Sequence, residues 1–248
     1  MKKPIVHAYF LCYNEANILP HLIKHYSTFC EKITILDNNS TDNSVEIVSY
    51  FPNTEVMTFN SNNEFHDGVH VYIKNNIWKK SIGIADFVIL GDTDEFLYNE
   101  DMVNFLIKSK ELGVTFFIPE GYHMIGDENL TLSSDDNIFE KVKEGVRTPV
   151  LDKPMMFDCN KINEINYGFG CHHANPTGDV KIFNKNDLKM LHYKFLGLDD
   201  YINKNKIRAD RLSQFNRENG FGLYYLLSVD EIITDYKSYV IKRKKVLN

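Results

Sequence analysis

The sequence contains few cysteines and no long apolar run, and each scarcity excludes a class of protein. Its four cysteines show no Cys-x-x-Cys spacing and are too sparse for a disulfide framework, so we expect reduced thiols and a cytoplasmic location. The longest apolar runs, such as Phe87–Leu90, fall far short of the ~20 residues that a helix needs to cross a bilayer. The N-terminal stretch is broken at Asn14–Glu15 and lacks the pattern of a signal peptide. We therefore expect a chain that is soluble or peripheral to the inner membrane surface.

Basic residues are outnumbered by acidic ones, 28 Lys and Arg against 34 Asp and Glu, which gives a net charge of −6. A nucleic-acid partner is not expected, because such binding depends on neutralising phosphates. The basic stretch Lys242–Lys245 is interpreted as a solvated helix terminus, with contact to an anionic membrane as the alternative. The composition, 43% hydrophobic and 25% charged, is otherwise that of a globular protein.

Strand and helix signals alternate through the first half of the chain. Apolar runs predict strands at Ile5–Cys12, Ile33–Leu36 and Asp86–Leu90, and helical periodicity predicts helices at Ala16–Phe29 and Val69–Ile82. The same patterns add a helix after Asn43, strands at 55–59 and 114–118, and a helix at 101–112. Strands that alternate with helices of this length predict an α/β fold, with a mostly parallel sheet flanked by helices.

The alternation breaks after about residue 120. Residues 121–192 mix Gly, Pro, Asn and short apolar pieces, which predicts irregular hairpins and loops over the sheet. From Asp199 onward the pattern is helical again. We predict one domain over residues 1–198, with halves at about 1–118 and 119–198, followed by a helical C-terminal appendage at 199–248.

The motif that most strongly indicates chemistry is Leu90–Phe96, in which an apolar strand delivers Asp92 and Asp94 at its end. In extended backbone, residues two positions apart point to the same side, so both carboxylates can converge on one cation. A divalent ion held by only two carboxylates keeps open positions for a diphosphate. The alternative is a turn in which Asp92 caps the next helix.

Polar residues also follow the first two predicted strands. Asn14 and Glu15 follow the first strand, and Asp37 begins the polar loop Asp37–Asp42 after the second. In open α/β sheets, ligands bind outside the carboxyl ends of the strands, and an acidic residue there can bind ribose hydroxyls or a base N–H. Ordinary turn chemistry is the alternative for each segment taken singly, because Asn, Asp and Ser are common in loops.

Taken together, the segments Phe10–Glu15, Ile35–Ser44 and Gly91–Phe96 resemble the GT-A glycosyltransferases, specifically a family 2-like group. The resemblance covers residues 4–118 and extends weakly to about 200. It implies a GT-A, Rossmann-like fold in which residues 1–118 bind the nucleotide of a sugar donor and 119–198 bind the acceptor. The donor-binding residues that it implies are Cys12, Tyr13, Asn14, Glu15, Asp37, Asn39, Lys74, Asp92 and Thr93.

The resemblance also implies a metal site formed by Asp92, Asp94 and His192, because similar enzymes take a third ligand from the second half of the chain. An imidazole beside two carboxylates suits Mn²⁺ better than Mg²⁺, which prefers oxygen ligands, although either ion is considered. The alternative for His192 is a half-buried histidine that is satisfied by a backbone carbonyl.

The catalytic base is not assigned by the motifs. Similar enzymes that invert the anomeric centre use an Asp or Glu base, often from a Glu-Asp pair in the second half, and no clean match occurs here. The candidates are Asp152, Glu120, Glu164 and His172. Retention or inversion at the anomeric carbon stays open.

The predicted function is metal-dependent hexosyl transfer from a nucleotide-sugar, a UDP-sugar by preference, to a glycan or lipid-linked acceptor, as in polysaccharide biosynthesis. One alternative is a phosphoryl-transfer hydrolase with Asp92 as nucleophile, as in haloacid dehalogenase-like phosphatases. There, however, the motif lies on the first strand, and Phe96 departs from its pattern. Another alternative is a non-catalytic module that binds nucleotides or carbohydrates.

Overall fold

A mostly parallel sheet of seven strands forms the centre of the computed structural model, which describes residues 2–183 and 187–248. Across the sheet the strands are β12 (Ile182–Phe183), β6 (Phe116–Phe117), β9 (Met156–Asp158), β4 (Phe87–Asp92), β1 (Val6–Cys12), β2 (Lys32–Asp37) and β3 (Thr54–Thr58). Strands β1 to β4 run parallel, whereas β9 is antiparallel to both β4 and β6. The predicted α/β class with a mostly parallel sheet is confirmed.

Helices on the two faces of this sheet bury its apolar side chains. They are α1 (Leu19–Ser27), α2 (Ser44–Val48), α3 (Asp67–Asn76) and α4 (Met102–Glu111). All residues of β1 are buried, as expected of a central parallel strand that is covered on both sides. Trp78, in the 3-10 turn after α3, is fully buried and packs edge-on against Phe157 of the sheet.

A second sheet of five strands corrects the expectation of irregular hairpins over residues 121–192. Its strands in order are β14 (Lys244–Lys245), β8 (Glu144–Arg147), β7 (Glu120–Ile125), β13 (Lys189–Phe195) and β5 (Glu95–Tyr98). The pattern was missed because most of these strands are short and because β13 pairs with β5 and β7, which lie far away in sequence. Two smaller strands, β10 (Ile162–Glu164) and β11 (Thr177–Gly178), form a separate pair, and α5 (Ile138–Lys141) precedes β8.

The C-terminal part of the chain is helical, as expected, with α6 (Leu198–Asp210), α7 (Gln214–Asn219) and α8 (Val229–Lys242). Helix α8 begins with a reciprocal capping box between Ser228 and Glu231. The basic stretch 242–245 is more than a solvated helix terminus, because Lys244–Lys245 pair with β8 and Arg243 binds Asp127 and Glu144 at 2.9 and 2.8 Å. Within residues 2–183 and 187–248, no helix combines the length and apolarity that crossing a bilayer requires.

His25 of α1 lies in an aromatic cluster between α1 and the second sheet. Its Nε2 atom lies 2.7 Å from the carbonyl oxygen of Leu97, and four aromatic rings surround the imidazole. Those rings, with centroids 4.9 to 5.6 Å away, belong to Tyr26, Phe29, Phe96 and Phe139. Burial lowers the pKa of His25 to about 4, because the charged imidazolium would lose its hydration.

This environment predicts a specific loss of stability in acid. His25 stays neutral in the folded protein while its unfolded counterpart takes up a proton below pH 6.5, so protons favour the unfolded chain between pH 6.5 and 4. When the pH is lowered from 7 to 5, the unfolding free energy of the wild type should fall by about 2 kcal/mol more than that of His25→Gln. Urea unfolding at both pH values measures this difference. The matched control is His173→Gln, on an exposed histidine, and an equal pH dependence in the wild type and His25→Gln would contradict the prediction.

Candidate active site

The carboxyl ends of three neighbouring strands meet at one edge of the main sheet. Cys12 pairs with Asp37 across β1 and β2, and Leu11 pairs with Asp92 across β1 and β4. Because these strands are parallel and in close register, the residues that follow them emerge side by side. The expectation that Asp37 and Asp92 share an edge is confirmed.

A cavity of about 670 Å³ opens beside this edge. Of the residues that the resemblance assigned to the donor and the metal, Asp37 and Asn39 do not line the cavity, and the others do. The lining residues among them are Cys12, Tyr13, Asn14, Glu15, Lys74, Asp92, Thr93, Asp94 and His192. The main sheet, the second sheet and α6 therefore all contribute walls to one space.

Asp37 has a local structural role instead. It is only 3% exposed, and both of its carboxylate oxygens accept from the backbone N–H of Ser40 at 3.2 Å. Asn14 ties the first loop to the second, since its side-chain oxygen accepts from the N–H of Thr41 at 2.7 Å. Asn14 and Asn39 both adopt positive φ angles, 53° and 57°, which asparagine tolerates better than most residues. These bonds fix the shape of the two loops that follow β1 and β2.

Asp92 of the D-x-D motif is paired with a buried lysine from α3. Lys74 Nζ donates to Asp92 Oδ1 at 2.7 Å, and Lys74 is 5% exposed. Burial alone would raise the pKa of Asp92, but the charges of Lys74 and Lys153 outweigh it and hold that pKa below its usual range. Asp92 is therefore a carboxylate at neutral pH, and the donor-binding role of Lys74 stays a prediction.

Lys153 and Glu95 form a second buried pair beside the first. Lys153 Nζ donates to Glu95 Oε1 at 2.5 Å, and the two side chains are 7% and 1% exposed. Lys153 reaches this point because its segment packs directly on β7 at Gly121, where a Cβ atom would lie 2.3 Å from the carbonyl oxygen of Leu151. Glu95 also accepts from the backbone N–H of Asp92 at 3.1 Å, so the pair braces the D-x-D turn.

Asp94 is almost fully enclosed, at 1% exposure. His192 Nε2 lies 3.4 Å from its Oδ2 atom, and Arg208 Nη2 also lies 3.4 Å from that oxygen. Burial opposes ionisation, but His192, Arg208 and Lys204 together hold the pKa of Asp94 well below its usual range. The returning strand β13 thus brings His192 to the D-x-D motif, and Leu191 and Tyr193 point away into the core.

Helix α6 supplies cations that the sequence analysis did not identify. Lys204 Nζ lies 3.0 Å from Glu15 Oε2, and Arg208 Nη2 lies 3.8 Å from Glu15 Oε1. Further along, the Arg211 guanidinium lies over the ring of Tyr13, 3.2 Å from its centroid. The available signal was the helical spacing of these three basic residues, which places them on one face of α6.

Asp94 and His192 are placed to share a divalent ion, whereas the third predicted ligand, Asp92, is partly occupied by Lys74. Oxygen and nitrogen ligands about 2 Å from one ion lie roughly 3 Å apart, close to the 3.4 Å between Asp94 Oδ2 and His192 Nε2. Asp92 gives one of its oxygens to Lys74. Over residues 2–183 and 187–248, no three His, Cys, Asp or Glu side chains are grouped as a ready metal site. Remaining ligands would therefore have to come from Asp92 Oδ2, a diphosphate or water.

Of the four candidate bases, only His172 lines the cavity. Asp152 accepts from Arg147 at 2.7 Å, Glu120 accepts from the Tyr122 hydroxyl at 2.9 Å, and Glu164 binds Lys79 at 2.8 Å. Each acid is thus engaged elsewhere. His172 Nδ1 lies 2.8 Å from the carbonyl oxygen of Val150. Burial lowers the pKa of His172, and the nearby charge of Lys153 adds to this effect.

Comparison with known proteins identifies distant structural similarity only. No family model and no curated protein matches the chain. With S. aureus TarS 1–349 the match covers 84% of this chain and 65% of that one, at 13% identity and a TM-score of 0.47. With mannosyl-3-phosphoglycerate synthase from Rubrobacter xylanophilus it covers 48% of this chain and 40% of that one, at 14% identity and a TM-score of 0.33.

A third match is glucosyl-3-phosphoglycerate synthase from Mycobacterium tuberculosis, solved with Mn²⁺, UDP and glucosyl-3-phosphoglycerate. It covers 48% of this chain and 44% of that one, at 16% identity and a TM-score of 0.32. The chain spans less than two thirds of the length of each of these three proteins. With TM-scores below 0.5, the similarities do not establish an activity, which has to be argued from the residues of the site.

The contact between Lys204 and Glu15 predicts how strongly α6 is coupled to the sheet edge. Lys204→Met leaves a buried carboxylate with only Arg208 nearby, so the unfolding free energy should fall by about 3 kcal/mol. The double variant Glu15→Gln/Lys204→Met should regain more than half of that loss, because the buried charge of Glu15 is removed with its partner, while Asp200, the other acid near Lys204 at 3.6 Å, is 24% exposed. Urea unfolding measures both. Lys206→Met, on an exposed lysine of the same helix, is the control, and additive losses in the double variant would exclude the coupling.

Proposed function

We propose that the chain is a glycosyltransferase that moves a sugar from a nucleotide-sugar, a UDP-sugar by preference, to a glycan or lipid-linked acceptor. The observation that carries this proposal is the convergence of Asp92, Asp94 and His192 in one cavity beside the carboxyl edge of a parallel sheet. Ligands of open α/β sheets bind at this edge. The cavity is also large enough for a small-molecule substrate, for which 300–1,000 Å³ is typical.

The donor would enter with its nucleotide at the ends of β1 and β2. Tyr13 offers an aromatic ring there, and the Arg211 guanidinium lies over it; among the described residues, one nitrogen of this guanidinium is buried and has no hydrogen-bond partner. The diphosphate would then extend toward Asp94, where Arg208 and Lys204 from α6 place positive charge. Negative charge develops on the leaving diphosphate during transfer, and preorganised cations stabilise it.

Asp94 and His192 would hold the divalent ion, Mn²⁺ or Mg²⁺. When bound, the ion supplies charge neutralisation for the diphosphate. A mixed imidazole and carboxylate set favours Mn²⁺. Arg208 already contacts Asp94, so on donor binding the guanidinium is free to turn from the carboxylate to a phosphate oxygen.

His172 is the best placed general base. The carbonyl of Val150 can only accept a hydrogen bond, so Nδ1 carries the proton of the neutral imidazole, and Nε2 keeps its lone pair. The lowered pKa of His172 keeps the ring neutral at pH 7. A neutral imidazole that lines the cavity can take the proton of an acceptor hydroxyl as the new glycosidic bond forms.

Contact between the basic C-terminal stretch and an anionic membrane is also proposed, but fewer of its positive charges are free than the sequence suggests. Arg243 is neutralised by two acids, whereas Lys244 and Lys245 lie exposed on an edge strand. Electrostatic contact with an anionic surface would rest on these lysines and Lys242. All four cysteines are free and buried, in accord with the expected reducing, cytoplasmic environment.

The first test is metal-linked donor binding. Calorimetry should show that the wild type binds UDP more tightly with Mn²⁺ than without it. In Asp94→Asn, this gain in affinity should be smaller by a factor of roughly ten or more, about 1.4 kcal/mol. The amide keeps the shape of the side chain but removes the charge that faces His192 and Arg208. Asp135→Asn, on a carboxylate that is 95% exposed, should behave like the wild type. Absence of binding of any nucleoside diphosphate by the wild type with Mn²⁺ present would exclude the proposed function.

The second test addresses the base. With water as the surrogate acceptor, His172→Ala should lower the rate of UDP release from a panel of UDP-sugars by roughly 10²-fold or more, with UDP affinity unchanged. The wild-type rate should hold at pH 6.5 and decline only at lower pH, as the base with its lowered pKa becomes protonated. His173→Ala alters the exposed neighbour and should leave both rate and profile unchanged. A wild-type profile in His172→Ala would show that another group is the base.

A further inference from the structure

Lys194 projects into the cavity from the strand that also carries His192. Residues two apart on a strand share a face, and both side chains line the cavity, while Tyr193 between them is buried in the core. Along β13, Lys194 therefore lies two residues beyond His192, which contacts Asp94 of the D-x-D motif. None of the roles described above uses it.

Aromatic rings surround this ammonium group. The ring of Tyr224 lies 4.9 Å from Lys194 Nζ, those of Phe195 and Tyr201 lie 5.6 Å away, and that of Tyr225 lies 5.8 Å away. Such rings attract a cation through their negative faces, but they bring no formal charge. They also exclude water, so that a ligand anion placed here would interact in a medium of low dielectric constant.

Lys194 differs from the other lysines of the cavity in its lack of an acidic partner. Lys74, Lys153 and Lys204 each lie within 3.0 Å of a carboxylate oxygen. In the described parts of the chain, no carboxylate forms a salt bridge with Lys194. Asp235 of α8 and Asp94 are close enough for their charges to act on Lys194, and Asp235 accepts a hydrogen bond from the hydroxyl of Tyr201 at 2.7 Å.

A second group in the same cavity lacks a partner. His123 of β7 is 8% exposed and lines the cavity, and its Nδ1 atom is buried without a hydrogen-bond partner within residues 2–183 and 187–248. Its ring lies 5.1 Å from those of His192 and Phe195. Buried polar atoms in native proteins are almost always satisfied, so this atom points to a ligand or an ordered water at this place.

We propose that Lys194 is the anchor for a phosphate group of the substrate, and that His123 completes the polar contacts of that group. The proposal rests on the function proposed above. A lysine ammonium is a compact point charge, and lysine is a common ligand of phosphate groups. The phosphate belongs either to the acceptor or to the donor, and the test below separates these two sources.

Inorganic phosphate is the probe, and thermal unfolding at constant ionic strength is the measurement. Phosphate should raise the unfolding temperature of the wild type, because binding to the folded state stabilises it by mass action. Lys194→Met, which keeps an unbranched apolar chain among the rings, should lose this shift, and Lys194→Arg should keep it. Lys108→Met, on an exposed lysine of α4, is the matched control and should shift like the wild type. If Lys194→Met does not fold, Lys194→Gln takes its place.

The two sources are separated by repeating the titration with saturating UDP and Mn²⁺. A phosphate shift that persists assigns Lys194 to the acceptor, and a shift that UDP abolishes assigns it to the donor. No shift in the wild type, an equal shift in Lys194→Met, or an equal shift with acetate in place of phosphate would overturn the proposal. Because the first titration contains no nucleotide, its outcome is independent of whether UDP binds, and hence of the proposed function.

Discussion

The buried carboxylate of Asp94 is the interaction on which the arrangement of the site depends. It lies in the turn between β4 and β5, and it is contacted by His192 from β13 and by Arg208 from α6. Two segments that follow Asp94 by about a hundred residues, β13 and α6, therefore meet it at one oxygen atom. A charge this deeply enclosed is stable only with such partners, since removing a carboxylate from water costs several kcal/mol. The second sheet and the C-terminal helices are thus held in place partly by the need to compensate one side chain.

Those parts of the molecule that sequence reasoning predicted are the ones governed by local patterns. The buried strand β1 and the strand that ends in Asp92 read directly as apolar runs followed by polar residues. Their convergence at one edge followed from the rule that parallel strands end on the same side. The position of His192 was inferred from the resemblance alone, and the alternation of Leu191, His192 and Tyr193 along β13 then showed how the side chain is free to reach Asp94. The division of the chain into a main domain and an appendage stays a prediction.

The rest could not be predicted because it depends on which strands and side chains meet in the folded protein, whether they are near or distant in sequence. Pairing of β13 with both β5 and β7 leaves no local signature. Asp152, Glu120 and Glu164 were reasonable bases as residue types, but only their partners, Arg147, Tyr122 and Lys79, show that they are occupied elsewhere. Asp37 looked like a ligand-binding carboxylate, whereas its bonds to Ser40 give it a role in shaping a loop. In each case the decisive information is the neighbour in space.

The spacing of the contacts on α6 has a consequence for how this chain can vary. Tyr201, Lys204, Arg208 and Arg211 are separated by three, four and three positions, and they form a single stripe along the helix. Inserting or deleting one residue between Tyr201 and Arg211 would rotate everything beyond that point by about 100°. The side chains beyond the inserted or deleted residue would then turn away from the cavity together. Substitutions alter the site one contact at a time, whereas a change of length in this helix would remove a whole wall of the cavity in a single step.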